Sequence, residues 1–470
     1  MSSTVVGIDS STQSCKVVVV DTDSGQVLAS GSAAHPDGTS ADPAAWLDAL
    51  RTAWREAGVP GRDDVVGVSV AGQQHGMVAV DTAGTPVRDA LLWNDVRSAP
   101  QAARMAAEHG TGWWMERVGM APVPSMTLSK LAWLRENEPE AAARVHRVML
   151  PHDWLTLQLC GAFVTDRSDA SGTGYYDAAQ HHYRPELLEA WFGAVPGLPR
   201  VLGPSEAAGT LGCEWGCGNG VLVGPGAGDN AASALALELD RGEVVVSVGT
   251  SGTVVARTAE LPLDPTGTTA GFADATGGFL PLLCTINAAR VMSTTADLLG
   301  VDLGEFTRLA RAAAADAGGL TFLPYLDGER TPNLPTATGR LDGMTRASMT
   351  RENLARAAVL SVANSLADCL GVLRGLDVPV ERVLLIGGGA RSEALRDVLP
   401  DTFGVPVTVP GPREYTALGA ARQAAWVATG TLPQWSRAEG RELRPRGDDG
   451  ARAFRARYTA ARRALEAELG

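Results

Sequence analysis

Apolar residues in this chain come in short runs that stop on small polar residues or glycine. At the start, "TVVGI" (4–8) and "KVVVVD" (16–21) predict two strands joined by a long, hydroxyl-rich loop, "DSSTQSC". After the turn "TDSG", the stretch "QVLASGSAA" predicts a third strand, so the opening reads as a β-meander. The period then changes. In "DPAAWLDALRTAWREAG" (42–58), Trp46, Leu50 and Trp54 recur every four residues, which predicts an amphipathic helix with Asp42 as its N-cap. "VVGVSVAGQQHGMVAVD" (65–81) reads as strand, polar loop, strand; residues 125–160 read as mainly helical; Pro/Gly-rich loops occupy 192–209. "VLVGPGAGDNAASALALE" (221–238) is a strand, a glycine loop ending in Asp229-Asn230, and an alanine-rich helix.

The pattern then begins again. "GEVVVSVGTSGTVVARTAE" (242–260) predicts a second hairpin around a Gly/Thr/Ser loop, about half the chain after the first. Two halves that each open with strand, polar loop and strand predict a duplicated α/β domain, divided as 1–238 and 239–470. Further on come a helix near 355–375 and a buried strand running through a triple glycine into a helix, "RVLLIGGGARSEALRDVL" (382–399). "PVTVP", the helix "YTALGAARQAAWVATG" (415–430) and an arginine-rich tail follow, and the tail reads as a solvated amphipathic helix.

Composition narrows the classes. A length of 470 residues favours two domains, and 45% hydrophobic with 20% charged residues is a globular profile. A net charge of −13 argues against a nucleic-acid partner. No apolar run approaches about 18 residues, so no membrane span is expected. The N-terminus lacks the basic segment of a signal peptide, and the scattered cysteines fit a reduced cytoplasm. Cys213 and Cys217 have no second Cys/His pair at metal spacing, so they read as loose thiols. Of 40 basic residues only Lys16 and Lys130 are lysines, which singles out Lys16 beside the opening motif.

Four loops at the carboxyl ends of apolar strands are candidates for chemistry. The first holds Asp9, Ser11, Thr12, Ser14 and Lys16: donors for a phosphate, with a carboxylate that makes sense there if a divalent cation intervenes. The second is Gly249-Thr250-Ser251-Gly252-Thr253, where glycine lets backbone approach an anion. The third is Gly387, Gly388, Gly389 and Ala390 with Ser392, suited to a flat ligand or a phosphate, or else to tight packing. The fourth is Asp229-Asn230, a general base for a hydroxyl or a helix cap. His75, between glycines in "GQQHG", is a further contact candidate. A P-loop and the protein-kinase HRD pattern are absent.

Taken in order, "GIDSSTQSCKVVVVD", "AGQQHGMV", "LLWNDVRS", "SDASGTGYYD", "GAGDNAASA", "SVGTSGTV", "FLPYLDGERTPN", "LIGGGARSE" and "YTALGAARQA" resemble the FGGY carbohydrate kinases over roughly 4–430. The resemblance implies two duplicated actin-like, ribonuclease-H-like domains with an interdomain cleft, ATP and Mg²⁺ as cofactors, and a cytoplasmic, often dimeric enzyme. It implies Asp9 as the metal-positioning acid, and Ser11, Thr12, Ser14, Lys16, Gly249 and Thr250 as phosphate-loop residues. It implies Gly387, Gly388, Gly389, Ala390 and Ser392 on the adenosine side. Asp229 corresponds to the catalytic base, with Asn230, Gln74, His75, Trp93 and Asn94 at the sugar. The expected acceptor is D-xylulose; another pentulose, a pentitol or gluconate is the alternative within the family, and a non-catalytic sugar-binding regulator is the alternative outside it. Where family members acting on xylulose often read Gly-Gln-Met-His-Gly, this chain carries Gln74 in place of the Met.

Overall fold

The computed structural model describes residues 3–437 and 439–469. Strands β1 (Thr4–Ser10), β2 (Ser14–Asp21) and β3 (Val27–Ala34) form the antiparallel meander. Strand β4 (Val65–Gly72) runs parallel to β1, and β5 (Leu222–Val223) and β6 (Ala227–Gly228) run parallel to β4. The side chains of β1 and β2 alternate between two apolar layers, as a two-residue period requires. Val6, Ile8, Val17 and Val19 pack with Trp46, Leu50 and Trp54 of the helix Pro43–Glu56. Asp42 caps that helix by accepting from the Ala44 N–H at 2.9 Å. Val5, Val18 and Val20 face the opposite way, onto Ala417, Ala421 and Ala424 of the helix Tyr415–Thr429.

The opening loop is shorter than the sequence suggested. Pairing continues through Asp9↔Lys16 and Ser10↔Cys15, so only residues 11–13 form the turn. Asp9 and Lys16 are therefore directly opposed strand residues. Gly7 lies inside β1, where a Cβ would overlap the Ala417 carbonyl, so glycine is what lets the helix Tyr415–Thr429 lie against the strand. Gly419 does the same on the other side of that helix, where a Cβ would overlap the carbonyl of Ala232 in the helix Asp229–Ala236. Gly419→Ala is expected to destabilise the protein by about 1–3 kcal/mol, because backbone on both sides must move. A fall in denaturation midpoint at unchanged m-value checks this.

The second half repeats the order. Strands β7 (Glu243–Val248), β8 (Gly252–Ala256) and β9 (Phe279–Thr285) form an antiparallel meander, β10 (Arg382–Ile386) lies parallel to β7, and β11 (Val407–Pro410) lies parallel to β10. The order β9-β8-β7-β10-β11 matches β3-β2-β1-β4-β5, and both hairpin turns span three residues. The chain forms two units, Met1–Glu238 with Ala259–Leu280 and Arg413–Arg437, and Leu239–Thr258 with Pro281–Pro412 and Ala438–Gly470.

Among the described residues one helix, Arg351–Gly375, is long and apolar enough to cross a membrane. It is largely buried in the core of the second unit, with Val359, Val362, Leu366 and Leu370 fully covered. The tail helix Asp449–Leu469 is less solvated than its sequence implied. It buries Phe454, Tyr458 and Leu465, and its Arg455 and Arg462 pair with the buried Asp368 at 2.6 Å and 3.2 Å.

Candidate active site

In the first unit, the register places Ser10, Gly72 and Gly228 side by side at the carboxyl ends of three neighbouring parallel strands. Ligands of open α/β sheets bind at such ends. Asp9, Gln74 and Asp229, far apart in sequence, are set there together.

Asp9 is 6% exposed and accepts from the Ser11 hydroxyl. Burial raises its carboxyl to about 6, against the lowering effect of Ser11 and Lys16; Glu414 adds to the rise. The turn itself is pinned. His35 Nδ1 lies 2.9 Å from the Ser11 carbonyl, the His35 N–H donates to the Gln13 carbonyl at 2.8 Å, and Trp93 Nε1 donates to Thr12 Oγ1 at 2.8 Å. Lys16 donates to Glu414 at 2.6 Å, just before the helix Tyr415–Thr429. Ser14 opens β2, opposite Ala34.

Asp229 is the first residue of the helix Asp229–Ala236, and Gly228 is the N-cap. Burial raises its carboxyl to about 7; the charge of Asp9 adds to this, and the two hydrogen bonds from Asn230 oppose it. Those bonds run from the Asn230 N–H (2.7 Å) and Nδ2 (2.9 Å) to Asp229 Oδ1. Asn230 Nδ2 also donates to Gln74 Oε1 at 3.3 Å, and Gln74 Nε2 donates to the Ser168 carbonyl at 3.3 Å. The Ser168 hydroxyl in turn accepts from the Gly228 N–H at 3.0 Å. Asp229, the sugar-side candidates Asn230 and Gln74, Ser168 and the preceding glycine are thus linked in a closed ring.

The ring is anchored below. Ser168 Oγ donates to Asp166 at 2.6 Å, and Asp166 belongs to a fully buried cluster with Asp153, Asp169 and His152. His152 Nδ1 lies 2.7 Å from Asp169 Oδ2. Burial disfavours its charge, but the carboxylates of Asp153, Asp169 and Asp166 outweigh that and hold His152 up to about 10. Glycine at 226 leaves room for its ring, and glycine at 72 for its Cβ and backbone.

His75 has φ +67°, its Nδ1 lies 2.7 Å from the Gly172 carbonyl, and its ring stands 5.6 Å from that of Phe272. Trp93 is 46% exposed, and Asn94 Nδ2 donates to the Gly38 carbonyl at 3.3 Å. Sequence reasoning passed over Ser168, Phe272, Lys130 and Glu414. Ser168 stands inside the quoted motif "SDASGTGYYD", and Lys130 is the second of the two lysines.

In the second unit, Gly249, Thr250 and Ser251 form the turn between β7 and β8; the Gly249 N–H donates to the Ser251 carbonyl at 2.9 Å, and Thr250 is exposed. Ser247↔Ile386 pairing brings the end of β10 beside this turn. The triple glycine divides its work. Cβ atoms at Gly387 and Gly389 would press on Val248, so these two serve close packing, whereas Gly388 faces open space and is free for a ligand. Ala390 is buried, and Ser392 caps the helix Glu393–Phe403 by accepting from the Leu395 N–H at 3.3 Å.

The model of the FGGY carbohydrate kinase N-terminal domain matches residues 4–236, and that of the C-terminal domain matches residues 244–428. A xylulose kinase of Streptomyces coelicolor is 48% identical over 91% of this chain and 88% of its own length. A xylulose kinase of Escherichia coli is 34% identical over 89% of each. The crystal structure of xylulose kinase from Bifidobacterium adolescentis superimposes with a TM-score of 0.91 at 42% identity, covering 98% of this chain and 99% of that one. Motif order, duplicated topology and these matches agree: the chain belongs to the FGGY family of carbohydrate kinases.

Proposed function

We propose that this protein transfers the γ-phosphoryl group of ATP to D-xylulose, giving D-xylulose 5-phosphate, with Asp229 as general base. The observation that carries the reading is the Asp229 carboxyl, raised to about 7 beside Asn230 and Gln74. A base works best when its pKa lies near the working pH, and this one sits where a sugar hydroxyl is to be received. The xylulose kinases at 48% and 42% identity support the choice of sugar.

Asp229 takes the hydroxyl proton as the oxygen attacks the γ-phosphorus. Asn230 keeps the carboxylate oriented, Gln74 holds Asn230, and His75, Trp93 and Asn94 meet the sugar. Ser11, Thr12, Ser14, Lys16, Gly249 and Thr250 are the phosphate-loop residues of this reading; Gly388, flanked by Gly387, Gly389, Ala390 and Ser392, serves the adenosine. The buried Asp9 carboxyl beside the Ser11 hydroxyl fits a magnesium ion and would hold it, one carboxylate being a usual protein contribution. Bound there, Mg²⁺ supplies neutralisation of the phosphate charge. The reading includes a cytoplasmic enzyme.

A panel of D-xylulose, D-ribulose, pentitols and gluconate, with ATP and Mg²⁺ and ADP release as the readout, tests the substrate. The highest kcat/KM is expected for D-xylulose, and no turnover of any pentulose contradicts the proposal.

A further inference from the structure

The geometry points to Lys130 as a positioning residue for the sugar: it grips the carbonyl of His75 and holds the Gln74–His75 turn in the shape that meets substrate. The inference rests on the assignment of that pair to the sugar.

His75 carries a positive φ of +67°, a left-handed conformation that a non-glycine residue keeps only where its surroundings hold it. Its ring is held by Gly172 and Phe272, as described. Its carbonyl is held separately. Lys130 Nζ donates to it at 2.8 Å, with Thr127 Oγ1 at 3.4 Å, and the same Nζ donates to the Ser125 carbonyl at 2.7 Å. Lys130 is 0% exposed, on the helix Thr127–Asn137.

Burial lowers the Lys130 amine to about 7, with the charge of Asp95 opposing this, so keeping its N–H donors inside the fold is costly, and a purely packing role at this position would be filled by an apolar side chain. The residue type is informative too. This chain uses arginine at all but two of its 40 basic positions. Two carbonyls converging on one point suit the single compact nitrogen of lysine, with its freely rotating donors, better than the wide planar fork of arginine. Both lysines of the chain thus stand by the candidate site: Lys16 opposite Asp9, and Lys130 behind His75.

The test is steady-state kinetics of Lys130→Met and Lys130→Arg, on whichever sugar the parent enzyme turns over best. A wrong sugar then overturns the reading of function and leaves this comparison intact. Both variants are expected to raise KM for the sugar about tenfold, the worth of one hydrogen bond of this kind, with KM for ATP unchanged. Thr127→Val, which removes the other donor, is expected to shift sugar KM the same way by less. In a His75→Gly background, where the turn adopts positive φ freely, Lys130→Met is expected to add nothing. An unchanged sugar KM alongside a lowered Tm overturns the proposal, as do a parallel rise in both KM values and full rescue by Lys130→Arg. If Lys130→Met does not fold, Thr127→Val decides, and an unchanged sugar KM there overturns the proposal.

Discussion

Asp229→Asn is expected to lower kcat by about 10²–10⁴ while making the protein more stable at pH 8. The loss follows from the removal of the proton acceptor; asparagine keeps the Oδ1 acceptor for both Asn230 donors, so the ring of hydrogen bonds stays closed. The gain follows from linkage. Asp229 titrates at about 7 in the fold and near the ordinary 3.8 when unfolded. Between those values the native state holds the extra proton, so stability falls as pH rises through that window and stays lowered above it. Asparagine has no such titration. The variant should therefore melt above the parent at pH 8, and the difference should shrink towards pH 4. Melting curves at the two pH values, with ADP-release rates at pH 8, check both halves. Near-normal turnover would remove Asp229 as the base.

Asp9→Asn is expected to reduce turnover by about 10²-fold or more, the scale seen when one preorganised charged contact at a transferring group is lost. The effect should fall on the nucleotide side. Sugar binding measured by calorimetry without nucleotide should be unchanged, because Asp9 makes no hydrogen bond to Gln74, His75 or Asn230 among the described residues. A second consequence concerns Asp229, whose raised carboxyl owes its second-largest part to the Asp9 charge. Neutralising Asp9 should bring the Asp229 titration closer to that of an ordinary carboxylate. Unimpaired turnover, or sugar affinity falling as far as turnover, would contradict the nucleotide-side assignment of Asp9.

Much of this was legible in the chain. The two-residue alternation of Val5 to Ile8 and Val17 to Val20 made strands buried on both faces, and the four-residue spacing of Trp46, Leu50 and Trp54 made the covering helix. The repeat of hairpin, parallel strand and helix was visible as two similar motifs. What periodicity could not give was register. The opening hairpin pairs up to Ser10↔Cys15, because nothing in small polar residues marks where pairing stops. Gly7 stands inside a predicted strand with no local reason for a glycine, and its role comes from a helix some 400 residues later in the chain, at Ala417. The same limit hid Ser168 and Lys130. Each acts through backbone groups of distant residues, Gly228 and His75, which no local pattern announces. The arginine-rich tail misled for a related reason: Arg455 and Arg462 look solvated until the buried partner, Asp368, is known.

The most direct test is the fate of D-xylulose itself. Incubated with the purified protein, ATP and Mg²⁺, it should yield one ADP per molecule of pentulose monophosphate, with the phosphate ester on C5 and not on C1 by phosphorus and carbon NMR. ADP formed without any sugar phosphate, or no ADP at all, would contradict the account.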